Sequence, residues 1–294
     1  MRTLLFFLVT AAAFAQAGPQ PPFVLPDSVS LERDILYART GSRALHLDLF
    51  LPRQGAGPFP AVVYIHGGGW RNGSKEAFQR QAAYMATKGF AGACIEYRLS
   101  GEAVYPAALD DAKAAVRWMR LNAKRNRMDP GRIGAAGGSA GGHLAAMLGT
   151  TGGLTRFEGN SGNSGVSSSV QAVAAFNPVL DLSTLGKQFD NEATRTIALF
   201  LGKSWNEAPE LWADASPFTH VGPASAPMLL LHGDADTTVP YEQSVAMLAR
   251  LKAAGVDACL YPAKAANHGF FNAPPWFVPA LEQMEKFFVR VLKR

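Results

Sequence analysis

The stretch RIGAAGGSAGGHLAAMLG, residues 132–149, decides the fold. Composition alone classes it with a second Gly/Ser-rich stretch, GNSGNSGVSSS at 159–169, as a flexible linker. The flanks separate the two. RIGAAGG is a short apolar run that reads as a buried strand, and SAGGHLAAMLG starts a helix rich in Ala and Leu. Ser139 therefore falls on the strand-to-helix turn, inside Gly137-Gly138-Ser139-Ala140-Gly141, a G-x-S-x-G pattern. Such a turn holds its central residue in strained backbone geometry, and glycines two residues to either side remove side chains that would strike the adjacent strand or helix. The serine then projects above the sheet at the positive end of the following helix. The 159–169 stretch has no apolar periodicity and is expected to be a surface loop.

On either side of it, PAVVYIHGGG, FAGACIEYRL, RIGAAGG, VQAVAAFNP, APMLLLHGD and VDACLYP are short, near-continuous apolar runs that end in turn residues. This is the signature of parallel strands buried on both faces. Helical patterns at about 75–88, 107–124, 139–150, 241–254 and 277–293 alternate with them, which predicts an α/β sheet with crossover helices. RALHLDLFLP at 43–52 alternates and is expected as an outer antiparallel strand with one wet face. The long gap at 178–225, with short helical pieces around 193–202 and 207–213, reads as an insertion covering a site. There is no internal repeat and no second core, so residues 31–294 are expected to form one domain.

The chain opens with MRTLLFFLVTAAAFAQAGPQ, which has one Arg, an apolar run and small-residue sites. This predicts a secretory signal over 1–17, cleaved after Ala15 or Ala17, then a mobile leader to residue 30 and a secreted or periplasmic protein. The apolar run is too short for a membrane anchor, so no stable membrane insertion is expected after cleavage. The formal net charge of +5 is scattered, and AKRNR at 123–127 reads as a solvated helix end, which excludes a nucleic-acid surface. The two cysteines, Cys94 and Cys259, sit in separate apolar runs read as central strands and are expected to be unpaired. The oligomeric state is not legible.

A serine hydroxyl is a poor nucleophile until a base takes its proton. Of six histidines, His46 lies on an outer strand, His143 is tied to the helix after the serine, His232 ends a strand and His220 sits in the insertion. His268, in AANHGFF, follows the last strand and precedes the final helix, above the carboxyl ends of the strands where reactive groups of open α/β sheets gather. LLLHGDADTTVP offers Asp236 to orient the imidazole, with Asp234 bracing the turn. For a developing oxyanion, YIHGGGW supplies the amides of Gly68 and Gly69, joined by that of Ala140. His66 is read as a brace of this loop, because no Gly-Lys-Ser/Thr follows to make it a phosphate loop. Trp70 is a candidate wall of the acyl pocket, with core packing the alternative. Trp205 and Trp212 are candidates for stacking on a sugar or aromatic ester, with packing of the insertion the alternative. No clustered ligand spacing implies a metal, and no cofactor is implied.

With Ser139, Asp236 and His268 in that order, the sequence resembles the α/β-hydrolase superfamily. HGGGW, EYRL, YPAALDDAKAAVRWMR, GGSAGGHLA, HGDADTTVP and NHGF each match the secreted bacterial esterases grouped with feruloyl and acetylxylan esterases. The chain departs from hormone-sensitive-lipase-like esterases, which carry their acid in a D-P-L-x-D setting and have a large N-terminal cap. The H-G-x-x-D-x-x-V-P loop resembles prolyl-oligopeptidase-like hydrolases, which keeps a peptidase or amidase reading beside the esterase one. A non-catalytic module on the same scaffold would be expected to lack a member of the triad. The resemblance implies a serine carboxylesterase acting on a small-molecule or oligosaccharide ester without a cofactor.

Overall fold

A computed structural model describes residues 22–293, so the expected signal segment lies outside the described residues. Eight strands form one sheet: β1 (Val29–Thr40), β2 (Arg43–Pro52), β3 (Phe59–Ile65), β4 (Ala91–Ile95), β5 (Met128–Gly138), β6 (Ala172–Phe176), β7 (Met228–Gly233) and β8 (Ala258–Ala263). Their spatial order is β1-β2-β4-β3-β5-β6-β7-β8. β1 pairs antiparallel with β2 and β2 with β4, and every other pairing is parallel.

The alternation of side chains along each strand divides the core into two layers. From β3, Ala61, Val63 and Ile65 face a layer that contains Leu109, Val116 and Met119 of α2 (Ala107–Leu121), Leu144 and Leu148 of α3 (Ala140–Thr150) and Met247 of α7 (Glu242–Ala253). Val62 and Tyr64 face the other layer, with Ala82 and Met85 of α1 (Gln79–Thr87) and Met284, Phe287 and Phe288 of α8 (Phe277–Leu292). In α8 the buried residues Ala280, Leu281, Met284, Phe288 and Leu292 recur at helical spacing, which lays one stripe on the sheet.

The structure corrects several expectations. The 43–52 strand is second in the sheet rather than outermost, because β1 pairs along its free edge with the register Thr40↔Arg43 to Val29↔Pro52. β1 escapes the sequence reading because its exposed positions carry Glu32, Arg33 and Asp34 and blur the alternation. The described end of the leader is packed: Phe23 meets Phe50 edge-on at 6.3 Å and Val29 is fully buried, so regular structure begins at Val29.

The 159–169 loop is pinned to α2 by charged groups. Arg98 holds Asp111 through two nitrogens and donates to Ser161 Oγ at 3.0 Å. Lys113 Nζ reaches Ser168 Oγ at 3.1 Å, and Ser168 donates to Glu158 at 2.8 Å. Ser161 and Ser168 are buried in consequence. Cys94 is buried on β4, whereas Cys259 is exposed on edge strand β8.

The insertion holds α4 (Leu182–Gln188), α5 (Glu192–Leu201) and α6 (Pro209–Asp214), of which α4 has no counterpart in the sequence reading. Asn191 caps α5 by accepting from the Thr194 amide while its own amide donates to Thr194 Oγ1.

Candidate active site

β5 ends at Gly138 and α3 begins at Ala140, which leaves Ser139 alone between them at φ 55° and ψ −120°. Two backbone bonds hold it there: Ser139 N donates to Phe176 O, and His143 N donates to Ser139 O, both at 2.9 Å. The flanking glycines meet backbone on every side. A Cβ on Gly137 would lie 2.3 Å from Gly141 O, and one on Gly141 would lie 2.1 Å from Ile65 O. Close approach of α3 to β3 is what brings the serine up to the end of the sheet.

His268, on the loop after β8, turns Nε2 to within 2.9 Å of Ser139 Oγ and Nδ1 to within 2.7 Å of Asp236 Oδ2. The other Asp236 oxygen accepts from the amides of Thr238 at 2.8 Å and Val239 at 3.0 Å. Burial alone would raise the Asp236 carboxyl. Hydrogen bonds from His232 and His268 outweigh it and hold the group well below the usual carboxylate range. It therefore stays anionic beside a histidine. Asp234 turns away and accepts from Ala265 N at 2.5 Å, at a residue with φ 56°.

The glycine loop after β3 adopts left-handed geometry at Gly68 (φ 108°), Gly69 (φ 60°) and Trp70 (φ 55°). Arg71 N and Asn72 N fold back onto Gly68 O at 3.1 and 3.2 Å. Among the described residues, the amides of Gly68, Gly69 and Ala140 make no backbone bond outside the regular elements, and Ala140 opens α3, where the first amides lack helical acceptors. His66 underlies the loop, buried and stacked on Tyr97 at 4.3 Å, with Nδ1–H donating to Gly67 O at 2.8 Å.

Trp70 is not a pocket wall. It is 2% exposed, stacks on Phe200 of α5 at 4.5 Å and donates from Nε1 to His143 Nδ1 at 3.3 Å. Burial drives the His143 imidazole down to about 4, so it stays neutral and donates from Nε2 to Ala215 O at 2.7 Å. Trp205 and Trp212 meet each other edge-on at 6.1 Å, and Trp212 is buried with its indole N–H on Lys203 O. Both serve the packing of the insertion. His46 lies beside Glu96 at 3.5 Å, and His220 donates to Asp214 O.

Two residues at the site escaped sequence reasoning. Asn177, buried just after β6, sets Nδ2 3.1 and 3.2 Å from the two ring nitrogens of His268. His232, buried at the end of β7, places Nε2 3.2 Å from Asp236 Oδ2. The four-residue spacing of His232 and Asp236 was a readable signal for the second. Asn177 left none, since only the fold brings β6 beneath His268. Among the described residues no group of three or more His, Cys, Asp or Glu side chains is arranged to hold a metal ion.

Comparison with known proteins places the chain among esterases. Esterase LipC of Mycobacterium tuberculosis is 30% identical over 72% of this chain and 53% of its own length. The chain spans about half the length of these curated relatives. A truncated carbohydrate esterase from gut microbiota superposes with a TM-score of 0.82 at 30% identity, over 91% of this chain and 98% of that one. The thermophilic esterase Est2 of Thermogutta terrifontis, solved with butyrate bound, superposes with a TM-score of 0.77 at 31% identity, over 90% of this chain and 95% of that one. The BD-FAE family model matches residues 47–251, and with that span and these neighbours the chain belongs to the BD-FAE family and has the α/β-hydrolase fold.

Proposed function

We propose that the protein is a secreted serine carboxylic ester hydrolase that acts on short-acyl esters, or on acyl groups carried by a sugar or aromatic alcohol, through an acyl-enzyme on Ser139. The observation that carries this reading is the unbroken chain from Ser139 Oγ through His268 to Asp236, at 2.9 and 2.7 Å. Ser139 Oγ attacks the ester carbonyl as His268 Nε2 takes its proton. Asp236 keeps the proton on Nδ1 and balances the imidazolium that forms. The amides of Gly68, Gly69 and Ala140 receive the oxyanion, and His268 then returns its proton to the leaving alcohol. Water, deprotonated by the same histidine, releases the acid.

The substrate class draws support from the butyrate held by the Thermogutta esterase and from the carbohydrate esterase among the structural neighbours. Secretion draws support from the N-terminal sequence, and no helix among the described residues is long and apolar enough to cross a membrane.

The test is direct. Ser139→Ala removes ester turnover with the fold intact, and a fluorophosphonate adds its mass to the Ser139 peptide of the wild type. Acetyl or butyryl p-nitrophenyl esters exceed the palmitoyl ester in kcat/KM by at least about tenfold, roughly 1.4 kcal/mol in transition-state stabilisation, measured below the micelle threshold. An active Ser139→Ala protein overturns the mechanism, and a preference for palmitate overturns the substrate class. N-terminal sequencing of the exported protein locates the cut after Ala15 or Ala17.

A further inference from the structure

His232 is wholly buried, and both of its ring nitrogens are engaged. Nε2 faces two oxygens, Val239 O at 3.0 Å and Asp236 Oδ2 at 3.2 Å. A carbonyl and a carboxylate can only accept, so Nε2 carries the hydrogen. Nδ1 faces Ser244 Oγ at 2.7 Å, and Ser244, itself fully buried on α7, donates its hydroxyl hydrogen to it. The serine thus fixes one tautomer, whose Nε2–H bonds the Val239 carbonyl with the Asp236 carboxylate beside it.

Asp236 needs such a contact. The amides of Thr238 and Val239 hold Oδ1, and because any turn about the Cβ–Cγ bond moves both oxygens, a donor beside Oδ2 resists that turn from the other side. Oδ2 faces two ring nitrogens, His268 Nδ1 at 2.7 Å and His232 Nε2 at 3.2 Å. His268 cannot locate Oδ2, because it is the group that Oδ2 has to locate. We propose that His232 is a positioning residue: its Nε2–H, set by the Ser244 hydroxyl, holds Asp236 Oδ2 where that oxygen receives His268 Nδ1–H. This rests on the reading of Ser139, His268 and Asp236 as the reacting set.

The neighbouring polar side chains are mostly engaged elsewhere. Tyr241 meets the His232 ring edge-on at 5.7 Å, and burial pushes its phenol up. Asp234 is turned to Ala265 N, Gln243 spends its side chain on Leu180 and Asp181, and Asn177 stands against His268. Removing the His232 donor leaves Asp236 Oδ2 more electron-rich and less fixed. His268 is then held more strongly as the cation but aimed less well.

The experiment compares His232→Leu, His232→Gln and Ser244→Ala with the wild type, with kcat and KM for p-nitrophenyl acetate measured from pH 5 to 9 alongside the melting temperature. His232→Leu lowers kcat roughly ten- to a hundredfold, the span of a hydrogen bond to a charged group, with KM within about twofold. The acid limb of its kcat/KM profile moves up by about half a pH unit. His232→Gln, whose amide can donate to Oδ2, recovers most of the loss, and Ser244→Ala falls between. Folded variants that melt earlier yet keep kcat within twofold and the limb in place overturn the proposal. Where His232→Leu does not fold, Ser244→Ala decides by the same two criteria. Asp236→Asn is measured in parallel. If it keeps wild-type kcat, the underlying triad reading fails; if it collapses while the His232 and Ser244 variants match the wild type, only this proposal fails.

Discussion

Replacing Gly141 with alanine puts a methyl group 2.1 Å from Ile65 O and 2.5 Å from His66 O. A relaxed carbon–oxygen contact needs about 3.4 Å, so the overlap is roughly 1.3 Å against backbone that cannot rotate away. Ile65 is registered with Gly137 across the β3–β5 pair, so these carbonyls cannot retreat without breaking the centre of the sheet. The helix α3 must move instead. Ordinary overpacking costs about 1–3 kcal/mol, and a clash with paired backbone exceeds that, so the loss is at least about 3 kcal/mol out of a total near 5–15. With a urea slope near 3 kcal/mol/M the unfolding midpoint falls by about 1 M or more. Whatever folds has Ser139 displaced by about an ångström from His268, which costs roughly a hundredfold in kcat/KM. Gly142→Ala is the control. Its methyl meets Phe176 O and Pro178 Cβ at 3.1 Å, a shortfall of a few tenths of an ångström. The gain in helix propensity, about 1 kcal/mol, offsets it. Urea titration and p-nitrophenyl butyrate turnover on both variants read the difference. A Gly141→Ala protein with the wild-type midpoint and rate would refute the claim that close packing of α3 on β3 sets the serine.

Asp236→Asn lowers kcat by about three to four orders of magnitude through the wrong His268 tautomer, whereas Asp234→Asn mainly shifts the melting temperature; reversed losses would exchange the two roles. Burial, then the charge of Asp111, pushes the Asp110 carboxyl up to about 6, so the folded state binds this proton more tightly than the unfolded chain does. Its contribution is therefore full below about pH 4 and lost as pH rises through 6, and Asp110→Asn raises stability at pH 8 by about 1 kcal/mol, discounted for partial exposure, with little gain at pH 4 in urea titrations. Cys94 and Cys259 lie on strands with β3, β5, β6 and β7 between them, a span of about 24 Å against a disulfide limit near 7 Å. Mass spectrometry after iodoacetamide finds Cys259 alkylated in the native protein and Cys94 only after denaturation, and a loss of two hydrogens in the untreated protein would contradict this.

The parallel strands were legible because burial on both faces leaves runs such as AVVYI and MLLL with no charged residue to confuse the period. The juxtaposition of Ser139, Asp236 and His268 was legible for a related reason: each follows a strand whose end the sequence marks with turn residues. What escaped depends on partners distant in the chain. β1 announces itself only through pairing with β2, and its exposed Glu32, Arg33 and Asp34 hide the alternation. Ser161 and Ser168 sit in a stretch whose composition reads as solvent-exposed, yet Arg98 and Lys113 draw them inward. Polar residues are buried where a charged partner meets them, and one-dimensional composition does not record that meeting. Cys259 fails the other way: its run is apolar, but β8 has a neighbour on one side only and leaves the thiol exposed.

Trp70 takes the core-packing alternative, for reasons that local chemistry does not record. A tryptophan after three glycines at the end of a central strand suits a pocket wall, yet its ring is sandwiched into a buried assembly. Phe200 from α5 stacks on it, its N–H meets His143 of α3, and His143 passes a hydrogen bond to Ala215 beyond α6. Tyr105 N donates to Phe200 O at 2.8 Å, and the Tyr105 hydroxyl reaches Asp214, so the segment before α2 grips the insertion too. Exposing a Trp or Phe side chain of this size costs about 1.5–3 kcal/mol, and withdrawing α5 would expose both Trp70 and Phe200. Together they hold the α5-withdrawn state below about one per cent at equilibrium. The insertion is therefore continuous with the core, and the position of the glycine loop at 66–70 is set from three directions: by β3 beneath it, by α3 through His143, and by α5 through Phe200. Any residue that shapes this loop must accommodate all three, which is why a sequence window of seven residues could name its glycines but left its tryptophan between a pocket wall and the core.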